Sequence, residues 1–298
     1  MLSVCIPVYN VKVAMLVNAL KEQIAKLNVP VEIVLIDDHS EKIYSDENNI
    51  LASSEVKYIA LPENIGRARI RNLFLKYVQY DHILFLDCDS EMVKKDFLQA
   101  YISEINKGAK VICGGRVYSD IVPPKLFRLH WKYGREKESK PASERQKNPN
   151  ASFMTNNFVV DSKVFEGIKL DERVTGYGHE DTLFGYQLKL KNIAVIHIDN
   201  PVLHAHLQSN TQFVENTESA ILNLVRIISF MGNDDVFTNE VALLRTYSAL
   251  NRFKLLPLLR FLFRINSPII RPLLCSGFDN ITTLNFYKLG YLAVNHSK

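Results

Sequence analysis

The chain has 298 residues, 47% apolar and 23% charged, which is enough for one large or two smaller domains with a real core and excludes a mainly disordered protein. A net charge of +4, with no long basic tract in the first half, leaves no electrostatic footprint for nucleic acid. Cys5, Cys88, Cys113 and Cys275 lack the paired spacing of a zinc or redox motif, which fits a reducing compartment. A strand pattern starts almost at Met1 without a basic leader, and no apolar run reaches the roughly 18 residues needed to span a bilayer. A cytoplasmic protein is expected, with any membrane contact confined to the surface.

Residues 3–8 read as a strand, and Val13, Leu16, Val17, Leu20 and Ile24 follow at helical spacing. A second apolar run, 31–36, ends at Asp37-Asp38, and residues 56–61 form a third. A helix is predicted over 66–80, opened by Asn64-Ile65-Gly66, and then a short apolar run, 83–86, ends abruptly in Asp87-Cys88-Asp89. In an extended chain, residues i and i+2 point the same way, so Asp87 and Asp89 can face one hard divalent cation, Mn2+ or Mg2+, that also holds a diphosphate. The same tripeptide also suits a turn or a helix cap. Residues 96–107 look helical and 111–114 like a further strand. This order predicts an α/β fold, doubly wound around a mainly parallel sheet, with nucleotide chemistry along its carboxyl edge. Neither Gly-x-Gly-x-x-Gly nor a Walker-type phosphate loop occurs, so phosphates must be held another way. Residues 120–150, rich in Lys, Arg, Glu, Ser and Pro, predict an exposed loop or lid.

In the second half, Gly176-Tyr177-Gly178 allows close backbone approach, and Glu180-Asp181 opens an amphipathic helix. Acids in a first helical turn are also favoured simply by the helix dipole. Asn156 and Asn157, before a strand at 158–160, suit either a sugar pocket or a polar turn. After a strand at 193–198, a neutral imidazole at His204 or His206 can complete a cation shell begun by carboxylates. From about residue 213 helical patterns take over. Between residues 241 and 277 there are six arginines or lysines, no acid, and interleaved Leu and Phe. This mixture suits a membrane-surface helix or a helix packed on the catalytic domain. Pro257, Pro268 and Pro272 are expected to break any long helix there.

Taken in order, Pro7-Val8-Tyr9-Asn10, Asp37-Asp38, Asn64-Ile65-Gly66 with Arg71-Asn72, and Leu86-Asp87-Cys88-Asp89 resemble glycosyltransferase family 2 with the GT-A fold. The resemblance covers about residues 1–210. It implies a nucleotide-sugar-binding half over 1–115, an acceptor-binding and catalytic half over 116–212, and a helical C-terminal appendage over 213–298. It also implies nucleotide contacts from Pro7, Tyr9, Asp38, Arg71 and Asp87, and a divalent cation on Asp89, Asp87 and His204. Ile70 departs from the alanine of the family's Ala-Arg-Asn pattern.

The segment around Gly178 is similar to the Gly-x-Gly-x-Glu-Asp stretch of inverting galactosyl- and N-acetylhexosaminyltransferases. This implies Asp181 as general base and Glu180 as its acceptor-binding partner, although the two can swap, with Asn157 and Gly178 in the sugar pocket. The expected partners are a UDP-sugar donor and a glycan or lipid-linked glycan acceptor, in bacterial surface polysaccharide synthesis. A glycan-binding protein without turnover is the alternative, opposed by the intact acids. A nucleotidyltransferase would need a glycine-rich phosphate loop, and residues 4–12 contain no glycine.

Overall fold

Leu2–Val8 (β1) is buried along almost its whole length on both faces, the signature of a central parallel strand covered by helices on either side. In the computed structural model, which describes residues 1–232 and 234–296, it pairs in parallel with Val31–Asp37 (β2), and β2 in turn with Val56–Ala60 (β3). The chain then crosses back to lay His82–Leu86 (β4) on the other side of β1. Ser90–Met92 (β5), Val111–Cys113 (β6), Arg116–Val117 (β7), Asn157–Asp161 (β8), Val195–His197 (β9) and Val202–His204 (β10) complete the strands. The large sheet has the order β3-β2-β1-β4-β8-β6-β9 and is parallel except at β8, which runs against both neighbours. A small sheet of order β5-β10-β7 sits beyond the end of β4.

Alternation along the strands divides the core. Leu2, Val4, Ile6 and Val8 face the helices Ala14–Ile24 and Phe97–Asn106, burying Leu16, Val17, Leu20, Phe97 and Tyr101. Cys5, Val34, Ile36 and Phe85 face the other way, onto Arg67–Leu73, Ser162–Gly167 and Glu180–Leu190. There Phe85 stacks on Phe158 at 5.0 Å.

Three expectations need correction. The helix after Gly66 is α-helical only over Arg67–Leu73 and tightens into a 3-10 turn at Phe74–Lys76. Residues 120–150 are largely helical rather than an open loop: a 3-10 turn at Lys125–Phe127, a helix at Arg128–Tyr133, a π-turn at Gly134–Glu138 and a short helix at Ala142–Arg145. Leu129 and His130 are buried there, and the Leu129 N–H donates to Asn210 Oδ1, so tertiary packing orders a polar sequence. Finally, Leu256–Cys275 is one continuous helix containing Pro268 and Pro272. Pro257 falls in its first turn, where a missing N–H costs nothing, and the helix is held by packing on Ile281–Asn295, where Phe263 lies against Tyr287 and Gly290.

Asn157 also departs from its expected place. It is a buried hub at the start of β8: its Nδ2 donates to the carbonyls of Gly115 and Asn200, and its Oδ1 accepts from the Tyr101 hydroxyl at 2.5 Å. With every polar atom used inside the protein, it is not a pocket wall. Asn157→Ala strands two carbonyls and a buried hydroxyl, and should lower unfolding free energy by about 3 kcal/mol in urea denaturation.

Candidate active site

Because the chain moves outward from β1 to β3 and then returns to β4, the carboxyl ends of β1 and β4 border a crevice at the point where strand order reverses. A cavity of about 550 Å³ opens there. Pro7 and Tyr9 enter it from the end of β1, Asp38 from the end of β2, and Asp87 and Asp89 from the end of β4. Arg67 and Arg71 come from the helix after Gly66, Arg116 from β7, and His204 and His206 from β10 and the turn after it.

The two acids at the end of β2 divide their work. Asp37 accepts from the Ser40 N–H at 2.6 Å and from the Tyr58 hydroxyl at 2.7 Å, so it is the turn cap. Asp38 faces the cavity and accepts from the N–H groups of Ile65 at 2.7 Å and Gly66 at 3.1 Å, locking the turn before the Arg67 helix. Gly66 has φ +84°, a conformation that favours glycine. Tyr9 is half exposed in the same wall.

Asp87 and Asp89 sit in different electrostatic settings. Burial raises the Asp87 carboxyl, but Arg71, Arg67 and Arg116 outweigh it and hold Asp87 below its ordinary value; Arg71 Nη2 donates to its Oδ1 at 2.6 Å. Asp89 has no such partner, and burial together with ionised Asp87 pushes it up to about 6. The small sheet sets Ser90 opposite His204 and brings His204 Nδ1 within 3.3 Å of Asp89 Oδ2. Burial and the nearby Arg116 push His204 down to about 4, so its ring is neutral and has a lone pair to give.

Asp89 and His204 therefore fit a divalent cation: two electron-pair donors meet, and a cation would relieve the repulsion that raises Asp89. Among the described residues no group of three or more His, Cys, Asp or Glu gathers closely enough for a metal, and Asp87 is engaged by Arg71. The remaining positions would fall to a diphosphate and water, the usual arrangement for Mg2+.

The Glu180–Leu190 helix stands beside this cavity, but neither Glu180 nor Asp181 is among its lining residues; the wall there is Gly176 and Tyr177. Glu180 is buried and accepts from Arg67 Nε at 2.7 Å, leaving Oε2 without a partner. Burial raises its carboxyl, and Arg67 with Arg71 lowers it further still, so it is ionised. Asp181 is half-buried, accepts among the described residues only from its neighbour Thr182, and is pushed up to about 6 by burial and Glu180. Gly178 also lies outside the wall: it has φ +92°, and a Cβ there would come within 2.6 Å of Ala220 Cβ, so it is the point where this turn packs on the helix Asn210–Met231.

A second polar chain was hidden in the sequence. Glu138, at the end of the π-turn, accepts from Arg116 Nη1 at 3.1 Å and from the Tyr118 hydroxyl at 2.5 Å. His130 Nδ1 accepts from the Gln208 N–H, so Nε2 carries its proton and faces the Tyr118 oxygen at 3.4 Å. Arg67 was detectable in principle, one helical turn before Arg71. Arg116 and Tyr118 share one side of an extended segment, but nothing local connects either with Glu138. His197, by contrast, is in the core, between Arg145 and the Pro149 carbonyl.

Arg67→Gln should leave Glu180 buried with a weakened counter-charge. A loss of about 2 kcal/mol is expected at neutral pH in urea denaturation, below the usual cost of breaking a buried pair because the Arg67 side chain is 42% exposed. The folded-state pKa of Glu180 is depressed in the wild type, so its contribution is present above the unfolded value and fades as pH falls through the folded value. The gap between variant and wild type should therefore narrow in acid.

The family model described as Glycosyl transferase family 2 matches residues 3–166, more than half of the chain. No curated protein matches it in sequence. Among solved structures, a mannosyltransferase from Pyrobaculum calidifontis in complex with GDP-Man and Mn2+ is similar with a TM-score of 0.58 at 13% identity, over 99% of this chain and 86% of that one. Glucosyl-3-phosphoglycerate synthase from Mycobacterium tuberculosis, in complex with Mg2+ and UDP, gives 0.54 at 13% identity, over 78% and 80%. TarS 1-349 of S. aureus gives 0.49 at 20% identity, over 99% and 90%. At such identities the likeness concerns the fold, and together with the family match it leads to one conclusion: this chain belongs to glycosyl transferase family 2 and has the GT-A fold.

Proposed function

We propose that the protein is a metal-dependent, inverting glycosyltransferase. It moves a sugar, galactose or an N-acetylhexosamine, from a UDP-sugar to a hydroxyl of a glycan or lipid-linked glycan in bacterial surface polysaccharide synthesis. The observation that carries this reading is the split between Asp87, held ionised by arginines, and Asp89, raised and set against neutral His204, at the crevice between β1 and β4. That pattern suits a nucleoside diphosphate with a cation. Solved relatives of the fold are described with UDP, GDP-Man, Mn2+ or Mg2+.

In this reading Pro7, Tyr9 and Asp38 receive the nucleoside, with Tyr9 offering a ring face and Asp38 an acceptor for a base or ribose donor. Arg67, Arg71 and Arg116 surround the diphosphate. Asp89 and His204 would hold the cation, which supplies charge neutralisation for the departing diphosphate. Inverting transfer also needs a base for the acceptor hydroxyl proton, and Asp181 has the value that suits one working near neutrality. Glu180, fixed by Arg67 and keeping one free oxygen, orients the acceptor side and keeps Asp181 basic. Glu138 is less suited to the proton, because Arg116 and Tyr118 outweigh its burial and hold its carboxyl low.

Donor hydrolysis and transfer should require Mn2+ or Mg2+, stop with a chelator, and vanish in Asp89→Ala. Asp181→Asn should bind UDP normally in calorimetry yet lose transfer by about a hundredfold or more; transfer at the wild-type rate would remove Asp181 as the base. In metal-saturated enzyme, kcat should rise with pH through about 6, since the base works deprotonated.

A further inference from the structure

The Leu256–Cys275 helix turns an unpartnered apolar face outward. Leu258, Phe261, Leu262, Ile265, Ile269 and Leu273 recur at helical spacing and are all exposed, Phe261 and Ile269 by 60% and 63%. The opposite side, Leu259, Phe263 and Leu274, is buried on the neighbouring helices. At 20 residues the helix is about 30 Å long, so the stripe is far larger than scattered surface leucines. Phe253 and Phe278, 71% and 46% exposed, lie just beyond either end of the helix.

Charge identifies what covers it. From residue 241 to 278 there is no acidic residue. Among the described residues Arg252, Lys254 and Arg264 are exposed and make no ion pair or side-chain hydrogen bond, whereas Arg271 pairs with Glu218 and Arg260 donates to the Ala293 carbonyl. A second copy meeting this face about a two-fold axis would bring the three free cations onto a surface that offers no carboxylate between residues 241 and 278. No helix among the described residues is long and apolar enough to cross a membrane, and this one carries three arginines and two internal prolines.

We propose that this face lies on an anionic lipid bilayer, with its apolar stripe in the headgroup boundary and Arg252, Lys254 and Arg264 on the phosphates. The dock also reaches toward the cavity. Gly277 packs against Lys125, and Lys132 faces Asp279 at 3.5 Å, so the end of the helix abuts the segment that carries His130 and Glu138 into the site. Ile121, Val122 and Leu126 on that segment are exposed as well. The use made of the dock, bringing the site to a lipid-linked acceptor, rests on the transferase reading; the lipid contact does not.

Flotation of the full chain with phosphatidylcholine vesicles, with and without phosphatidylglycerol, tests the inference independently of transfer. Binding is expected only with the anionic lipid and should weaken with salt. Phe261→Glu/Ile265→Glu should lower it at least about tenfold. Arg252→Gln/Lys254→Gln/Arg264→Gln should lower it on the order of a hundredfold. All five side chains are exposed, so unchanged thermal melting and metal-dependent donor hydrolysis should show that the variants fold. Failure of the wild type to float, or equal flotation of the Phe261→Glu/Ile265→Glu variant, would overturn the proposal. So would a wild-type dimer in sedimentation that this variant converts to a monomer without any loss of flotation.

Discussion

Arg71 against Asp87 is the contact on which the cavity depends. Two carboxylates one residue apart at the end of a buried strand cannot both be ionised without compensation. Arg71, itself buried, sits at the mouth of β4 and compensates one of them. Asp89 is left as the acid under strain. The small sheet then gives that acid a neutral imidazole instead of a second cation, so the one uncompensated negative position is also the one equipped to share an external positive charge.

Arg67 extends the same logic to the neighbouring helix. It stands one turn before Arg71, places its guanidinium 5.3 Å from the centre of the Tyr177 ring, and pairs with Glu180. One short helix thus compensates acids from β4 and from the Glu180 helix, which are separated by about ninety residues of chain. Beyond the effect of burial, the charge on Glu180 helps raise Asp181, just as the charge on Asp87 helps raise Asp89. Each acid pair has one member fixed by arginine and one left near neutrality.

The parts legible in sequence were those where a local pattern and its tertiary use coincide. β1, β2 and β4 are mainly apolar runs, and a strand that buries both faces ends abruptly where the polar residues begin, so Asp38, Asp87 and Asp89 could be assigned to the sheet edge from sequence. Glu138 could not, because a polar segment rich in lysine and arginine gives no periodicity; only Leu129, His130 and the anchoring Asn210 show why it is ordered. Asn157 and Gly178 stand apart from their residue-type reading for the opposite reason. Their residue types suit a pocket, but the Asn157 hydrogen bonds and the Ala220 contact of Gly178 are spent inside the fold.

The two prolines inside the C-terminal basic helix have a consequence for depth. Pro268 and Pro272 have no N–H to give, so the carbonyls of Arg264 and Pro268 have no donor four residues on. In hydrocarbon each such oxygen would cost several kcal/mol. On a bilayer these oxygens favour a seat in the boundary layer, where water or a headgroup reaches them, over one deeper in hydrocarbon, which makes the prolines a float line.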